Sequence, residues 1–203
     1  APVPNPDSTT GIRLHIQRDE LAAAHADLLA FTPLCTGPAA AGSADFDTIK
    51  SASFGTAAER GNAKVLGAKR LVARYALFAH KLQGRGTTSG CAELPGNDFV
   101  VTLGGWSTVG GHGVGSPDQQ TGTFMHEMGH TPGLLHGGAD VINCKPNYLS
   151  VMSYPYQDLA ADPKRPLDYS RARLPALDEK ALDETLGIQG PAGRVVVHGV
   201  GQT

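Results

Sequence analysis

The chain is short of charge, of cysteine and of long apolar runs, and each shortage excludes something. Only 18% of its residues are charged, 17 basic against 19 acidic, for a net charge of −2. No basic run exceeds a pair such as Lys69-Arg70, so neither nucleic acid nor an anionic membrane is an expected partner. No apolar stretch comes near the ~20 residues needed to cross a bilayer. The opening APVPNPDSTT has neither the basic region nor the apolar core of a secretion signal. A start at Ala1 is read as a processed segment from which any signal or pro-segment has been removed.

Three cysteines, Cys35, Cys91 and Cys144, are too few for a disulfide framework and odd in number. One bridge with a leftover thiol fits a secreted protein, and three reduced thiols would fit a cytosolic one. The expected arrangement is secretion with Cys91 bridged to Cys144.

What is present is an ordinary amount of core-forming material. The 203 residues are 40% hydrophobic, enough for one domain with a real core. With 26 glycines and 14 prolines, loops should be many and regular elements short. IRLHI (12–16) alternates like a half-buried strand, and DELAAAHADLLAF (19–31) keeps helical spacing. AAERGNAKVLGAKRLVARYALFAHKL reads as helix and then strand from about Val72. GCAEL (90–94) reads as an edge strand and DFVVTLGG (98–105) as a buried strand. STVGGHGVGSPD is a glycine-rich loop without the strand, helix and Gly-Lys-Ser/Thr context of a phosphate site. LPALDEKALDETLG has Pro175 early and Gly187 as a stop, the marks of a helix. RVVVHGV near the end reads as a last short strand.

The chemistry is concentrated in TGTFMHEMGHTPGLLHGG, residues 121–138. Ser116, Pro117 and Gln119 supply a cap, a first-turn proline and the third-position partner of a capping box. The helix they start should run to Thr131, where Pro132 ends it. On it His126 and His130 stand four apart on one face and can converge on one cation. Gly133 allows the backbone to turn so that His136 supplies a third ligand. Three protein ligands leave a fourth position open, the catalytic rather than the closed structural pattern. Glu127, about 100° round the helix from its neighbour His126, is placed to take the proton of a water that zinc has acidified. This spacing of His, Glu and Gly arises by chance on the order of once in ten thousand chains of this composition. His15, His25, His80, His112 and His198 have no such context and are read as ordinary polar residues.

HEMGHTPGLLH resembles the extended zinc signature of the metzincin metallopeptidases, the clan of astacins, serralysins, matrixins and adamalysins. The resemblance implies a methionine-bearing turn beneath the metal, and NYLSVMSYPY supplies Met152, sixteen positions after His136. Tyr154 is similar to the tyrosine that astacins and serralysins place beside zinc, implying a hydrogen bond to the developing oxyanion. Gly137 after the third histidine matches none of the four named branches, and Pro132 stands where leucine is more usual, so no branch is assigned.

The resemblance implies an α+β, zincin-like fold. It would have a mixed, twisted sheet of about five strands with an antiparallel edge strand, the zinc helix, and a small C-terminal lobe with one helix. Residues 1–203 form a single catalytic domain, with lobes of about 1–136 and 137–203. The expected activity is a secreted zinc endopeptidase acting on extended polypeptides, which pair with the edge strand Cys91, Ala92, Glu93 and Leu94. Two other readings stand beside it: a non-catalytic zinc-stabilised protein-binding module, and a zinc amidase acting on cell-wall peptide. Calcium is a second candidate cation without support: there is no Asp-x-Asp-x-Asp-Gly loop, and Asp140 is isolated.

Overall fold

The computed structural model describes residues 8, 13–18, 27–31, 44–160, 163–170, 174–178, 180, 181, 183 and 185. In chain order its elements are β1 (Leu28–Ala30), β2 (Ala44–Asp45), α1 (Phe46–Ser53), α2 (Ala57–Arg60), α3 (Ala63–Val72), β3 (Tyr75–Ala79) and β4 (Lys81–Leu82). β5 (Gly90–Ala92), β6 (Asp98–Thr102), β7 (Thr108–Val109), β8 (His112–Gly113), α4 (Pro117–His130) and a 3-10 turn at Tyr154–Tyr156 follow. This is a mixed α+β chain with small sheets. No helix among the described residues is long and apolar enough to cross a membrane.

β6 is the centre of one three-stranded sheet. It pairs in parallel with β3, Tyr75 opposite Asp98 through Ala79 opposite Thr102, and antiparallel with β5, Cys91 opposite Val100. All five residues of β6 are buried, as a strand covered on both faces requires. β5 lies at the margin of this sheet, so the edge strand is where the sequence puts it. It is shorter than expected, however. Glu93 still donates its N–H to the Asp98 carbonyl, but its carboxylate folds back to accept the N–H groups of Asn97 and Asp98. Glu93 and Leu94 therefore lead into the turn to β6 rather than extending the strand.

The second sheet has the order β2–β1–β4, parallel throughout. Only His80 separates β3 from β4. One continuous segment thus pairs first with β6 and then with β1. The core lies where α1 covers these strands. Phe31, Phe46, Phe54 and Tyr75 meet edge to face, with centroids 4.4 to 5.8 Å apart, around Leu29, Leu82 and Val100. The Tyr75 hydroxyl is satisfied by Ser53 at 2.7 Å, and Lys50 reaches the buried Asp98 carboxylate at 2.5 Å.

Several expectations are corrected. Residues 13–16 of IRLHI form no strand, and Leu14 and Ile16 are exposed; the alternating pattern meets no sheet partner there. Leu28–Ala30 is strand where helix is expected, because parallel pairing to β2 and β4 overrides the local periodicity. The rest of that expected helix, 19–26, lies outside the described residues. The glycine-rich loop after β6 holds a short hairpin, β7 with β8. Among the described residues between 174 and 185 there are turns and no helix; the RVVVHGV strand lies outside the described residues. Cys91 is disulfide-bonded, but Cys144 is a free, exposed thiol, so the expected Cys91–Cys144 pair does not form. Cys35 lies outside the described residues.

Candidate metal centre

The local chemistry of α4 fixes its register. Ser116 accepts the Gln119 N–H at 3.2 Å, and the Gln119 side chain accepts the Ser116 N–H at 2.9 Å, closing the capping box with Pro117 in the first turn. The Thr131 N–H reaches back to the Met128 carbonyl, and the Leu134 N–H to that of Gly129. Gly133 takes φ +102, a conformation that side chains resist, and the chain reverses into the segment carrying His136.

His126, His130 and His136 come together, with one ring nitrogen from each lying within 4.8 Å of the others. The Nε2 atoms of His126 and His130 are 3.1 Å apart. At a metal–nitrogen distance of about 2.05 Å that separation subtends roughly 100°, close to a tetrahedral angle. Both rings are held through their other nitrogen. His126 Nδ1 lies 2.8 Å from the Val151 carbonyl, and His130 Nδ1 lies 2.7 Å from that of Leu134. A carbonyl only accepts, so each Nδ1 carries the proton and each Nε2 lone pair is left for a cation. Burial depresses all three imidazole pKa values, that of His126 to about 3 with further repulsion from the other two histidines. They are therefore neutral at physiological pH, the state a ligand requires. Donor type, tautomer, charge and spacing all suit a bound metal ion.

Glu127 is buried, and burial pushes its carboxyl up to about 8. It lies against β5: a Cβ on Gly90 would sit 2.7 Å from Glu127 Oε1 and 2.6 Å from the Val100 carbonyl. Glycine at the start of the edge strand is thus what lets strand and carboxylate occupy neighbouring space.

Met152 is completely buried within Ser150–Ser153, a tight turn in which the Ser153 N–H donates to the Ser150 carbonyl. Its sulfur would lie 2.4 Å from a Cβ on Gly129. A Cβ on Gly122, seven residues earlier and on the same helix face, would lie 1.7 Å from the Gln157 carbonyl oxygen. Two glycines therefore let the Met152 turn and its exit press against α4, and this contact presents the Val151 carbonyl to His126. The exit is pinned by Gln157 Nε2, which donates to Ser89 at 2.9 Å and Thr123 at 3.0 Å. Arg165 also donates to the Tyr156 carbonyl at 2.5 Å.

Tyr154 stands at the mouth of the centre. It is half-exposed, with its ring 4.4 Å from that of His136 and 5.5 Å from that of His126. Burial and the neighbouring Glu127 charge raise its pKa. The histidines, Glu127, Met152 and Tyr154 thus gather in one place, bordered by Gly90 of β5. Asp140 is not available as a free cation ligand, since Lys145 at 2.5 Å and the Ile142 N–H at 2.9 Å hold its carboxylate. The two carbonyls that orient the rings were not legible in the sequence, because a backbone group has no residue signature. Gly122 and Gly129 were missed as well, although small residues seven apart on a helix can mark a closely approached face. No family model matches the chain, and no curated protein or solved structure matches it at a significant level.

Proposed function

We propose that the protein is a zinc-dependent endopeptidase of metzincin type. The observation that carries this reading is the convergence of three neutral imidazoles, two of them tautomer-fixed, with a buried glutamate and a tyrosine at the same mouth. Three nitrogen donors with no thiolate suit zinc, and they leave room for a non-protein ligand. Zinc bound there supplies Lewis-acid polarisation of a carbonyl and lowers the pKa of water. Glu127 takes the proton of the attacking water and passes it to the leaving amine. Its raised pKa is opposed when a dication sits at the adjacent histidines, which keeps it usable as a base near neutrality. Tyr154 donates its hydroxyl hydrogen to the oxyanion that develops on the scissile carbonyl.

An extended peptide adds to β5, whose outer edge passes Glu127 at Gly90. Counting β3 and β4 as one strand interrupted at His80, the sheet order becomes β2–β1–β4/β3–β6–β5. That five-position mixed sheet with an antiparallel edge supports a zincin-like fold. The disulfide at Cys91 favours secretion.

Incubation with an unfolded polypeptide, with and without chelator, tests the reading. Cleavage that stops on chelation and returns with zinc is expected, and Glu127→Ala should bind zinc yet cleave nothing. Cleavage by metal-loaded Glu127→Ala would remove the glutamate from its role. Zinc binding without cleavage by the parent would favour a zinc-stabilised binding module, and cleavage confined to peptidoglycan would favour an amidase.

A further inference from the structure

The 3-10 turn that begins at Tyr154 has no cap of its own. Its flanking residue, Ser153, is a good capping type, yet its hydroxyl makes no capping bond to the turn. The orphan N–H of Tyr154 is met instead from eleven residues away, by the side-chain oxygen of Asn143 at 3.0 Å. The same oxygen accepts the Cys144 N–H at 2.9 Å and takes a longer contact of 3.4 Å from the Ser153 hydroxyl. Asn143 belongs to the loop that leaves the third histidine, and that loop is folded tightly. The Gly137 N–H donates to the Asp140 carbonyl at 2.9 Å. Lys145 closes the loop by reaching both the Asp140 carboxylate and the Gly137 carbonyl. One amide oxygen thus ties the His136 loop to the backbone of the tyrosine that faces His136.

We propose that Asn143 is a positioning residue: by capping the Tyr154 turn from the His136 loop, it sets the Tyr154 ring over the histidine cluster. The catalytic part of this inference rests on the peptidase reading; the positional part does not. A half-exposed tyrosine on a turn lacking its own cap has several rotamers and backbone positions open to it, and a fixed N–H acceptor removes part of that freedom. Asn143 touches no reacting atom and acts only through Tyr154.

The test compares Asn143→Ala, which removes the acceptor, with Asn143→Asp, which keeps an oxygen in the same place. Both are made in the zinc-loaded protein. The first readout is the ring resonance of Tyr154 in tyrosine-labelled protein, identified by its loss in Tyr154→Phe. The His136 ring, 4.4 Å away, shifts that resonance from its free value. Asn143→Ala should move it most of the way towards the free value, while Asn143→Asp should hold it. An unmoved resonance in Asn143→Ala overturns the proposal, whether or not the protein cleaves peptides.

The second readout is cleavage. Asn143→Ala should lower kcat to within about threefold of Tyr154→Phe with KM and zinc affinity little changed, and the double variant should be no slower than Tyr154→Phe. Full additivity of the two losses would also overturn it. A parent without cleavage fails the peptidase reading alone, and the resonance still decides the role of Asn143.

Discussion

Gly122 and Gly67 both sit in helices, yet replacing them with alanine should move stability in opposite directions. In α3 a Cβ on Gly67 meets nothing within 4 Å, so Gly67→Ala gains only the helix propensity difference, about 1 kcal/mol. In α4 a Cβ on Gly122 lies 1.7 Å from the Gln157 carbonyl oxygen. A relaxed carbon–oxygen contact is about 3.3 Å or longer, so helix and turn must separate by roughly 1.6 Å. A movement of that size exceeds the slack in the Gln157 bonds to Ser89 and Thr123, now 2.9 and 3.0 Å long, at about 1 kcal/mol each. Overpacking strain of about 1–3 kcal/mol adds to this. Set against the ~1 kcal/mol of propensity, the net loss is about 3 kcal/mol, or about 6–12 °C in Tm, whereas Gly67→Ala should rise by about 2–4 °C. The same displacement pulls the Val151 carbonyl from His126, for which about a tenfold or greater loss of metal affinity is expected. Thermal unfolding of both variants in chelator, followed by zinc titration, checks this. A Gly122→Ala protein as stable as Gly67→Ala, binding zinc normally, would refute the close approach.

Three further outcomes follow from the site. Metal-free Glu127 has its folded pKa raised from 4.5 to about 8, so the folded state holds the extra proton between those values. Its contribution is fully present below pH 4.5 and is lost as pH rises to 8, by at most about 5 kcal/mol. In denaturant titrations without metal, Glu127→Gln should gain on the parent steadily above pH 5, and parallel pH curves would contradict this. Zinc at a thousandfold excess over its Kd should stabilise the chain by about 4 kcal/mol, raising Tm by about 8–16 °C; His126→Ala should abolish that shift. Tyr154→Phe should lower kcat in the cleavage assay with KM little changed, and an unchanged kcat would mean that Tyr154 only packs.

Much of the site was legible because its determinants are local. The limits of α4 follow from Ser116, Pro117 and Gln119 at one end and Thr131-Pro132 at the other, so the structure ends the helix within a residue of the expectation. The β6 strand, with Phe99, Val100 and Val101 at its centre, and the β5 edge were legible for the same reason. β1 was not, because Leu28–Ala30 owes its extended form to two parallel partners far away in sequence. The disulfide pairing was not legible either, because the number and spacing of three cysteines do not say which sulfurs meet, and Cys144 stays free. Asn143 carried no signal, since its role depends on a loop closure set by Asp140 and Lys145.

The unequal support of the three histidines has a kinetic consequence. His126 and His130 are pre-aimed by backbone carbonyls, whereas among the described residues no such ring bond holds His136, which is also less buried. Were an ion held there, the rigid pair would grip it most firmly, and His136, already close but unbuttressed, would be the ligand that moves most easily. Exchange of such an ion would then be governed by the opening of His136 and its loop, and its affinity chiefly by the pair. A change in the His136 loop would then alter how quickly the metal is traded while leaving much of the preference for it intact.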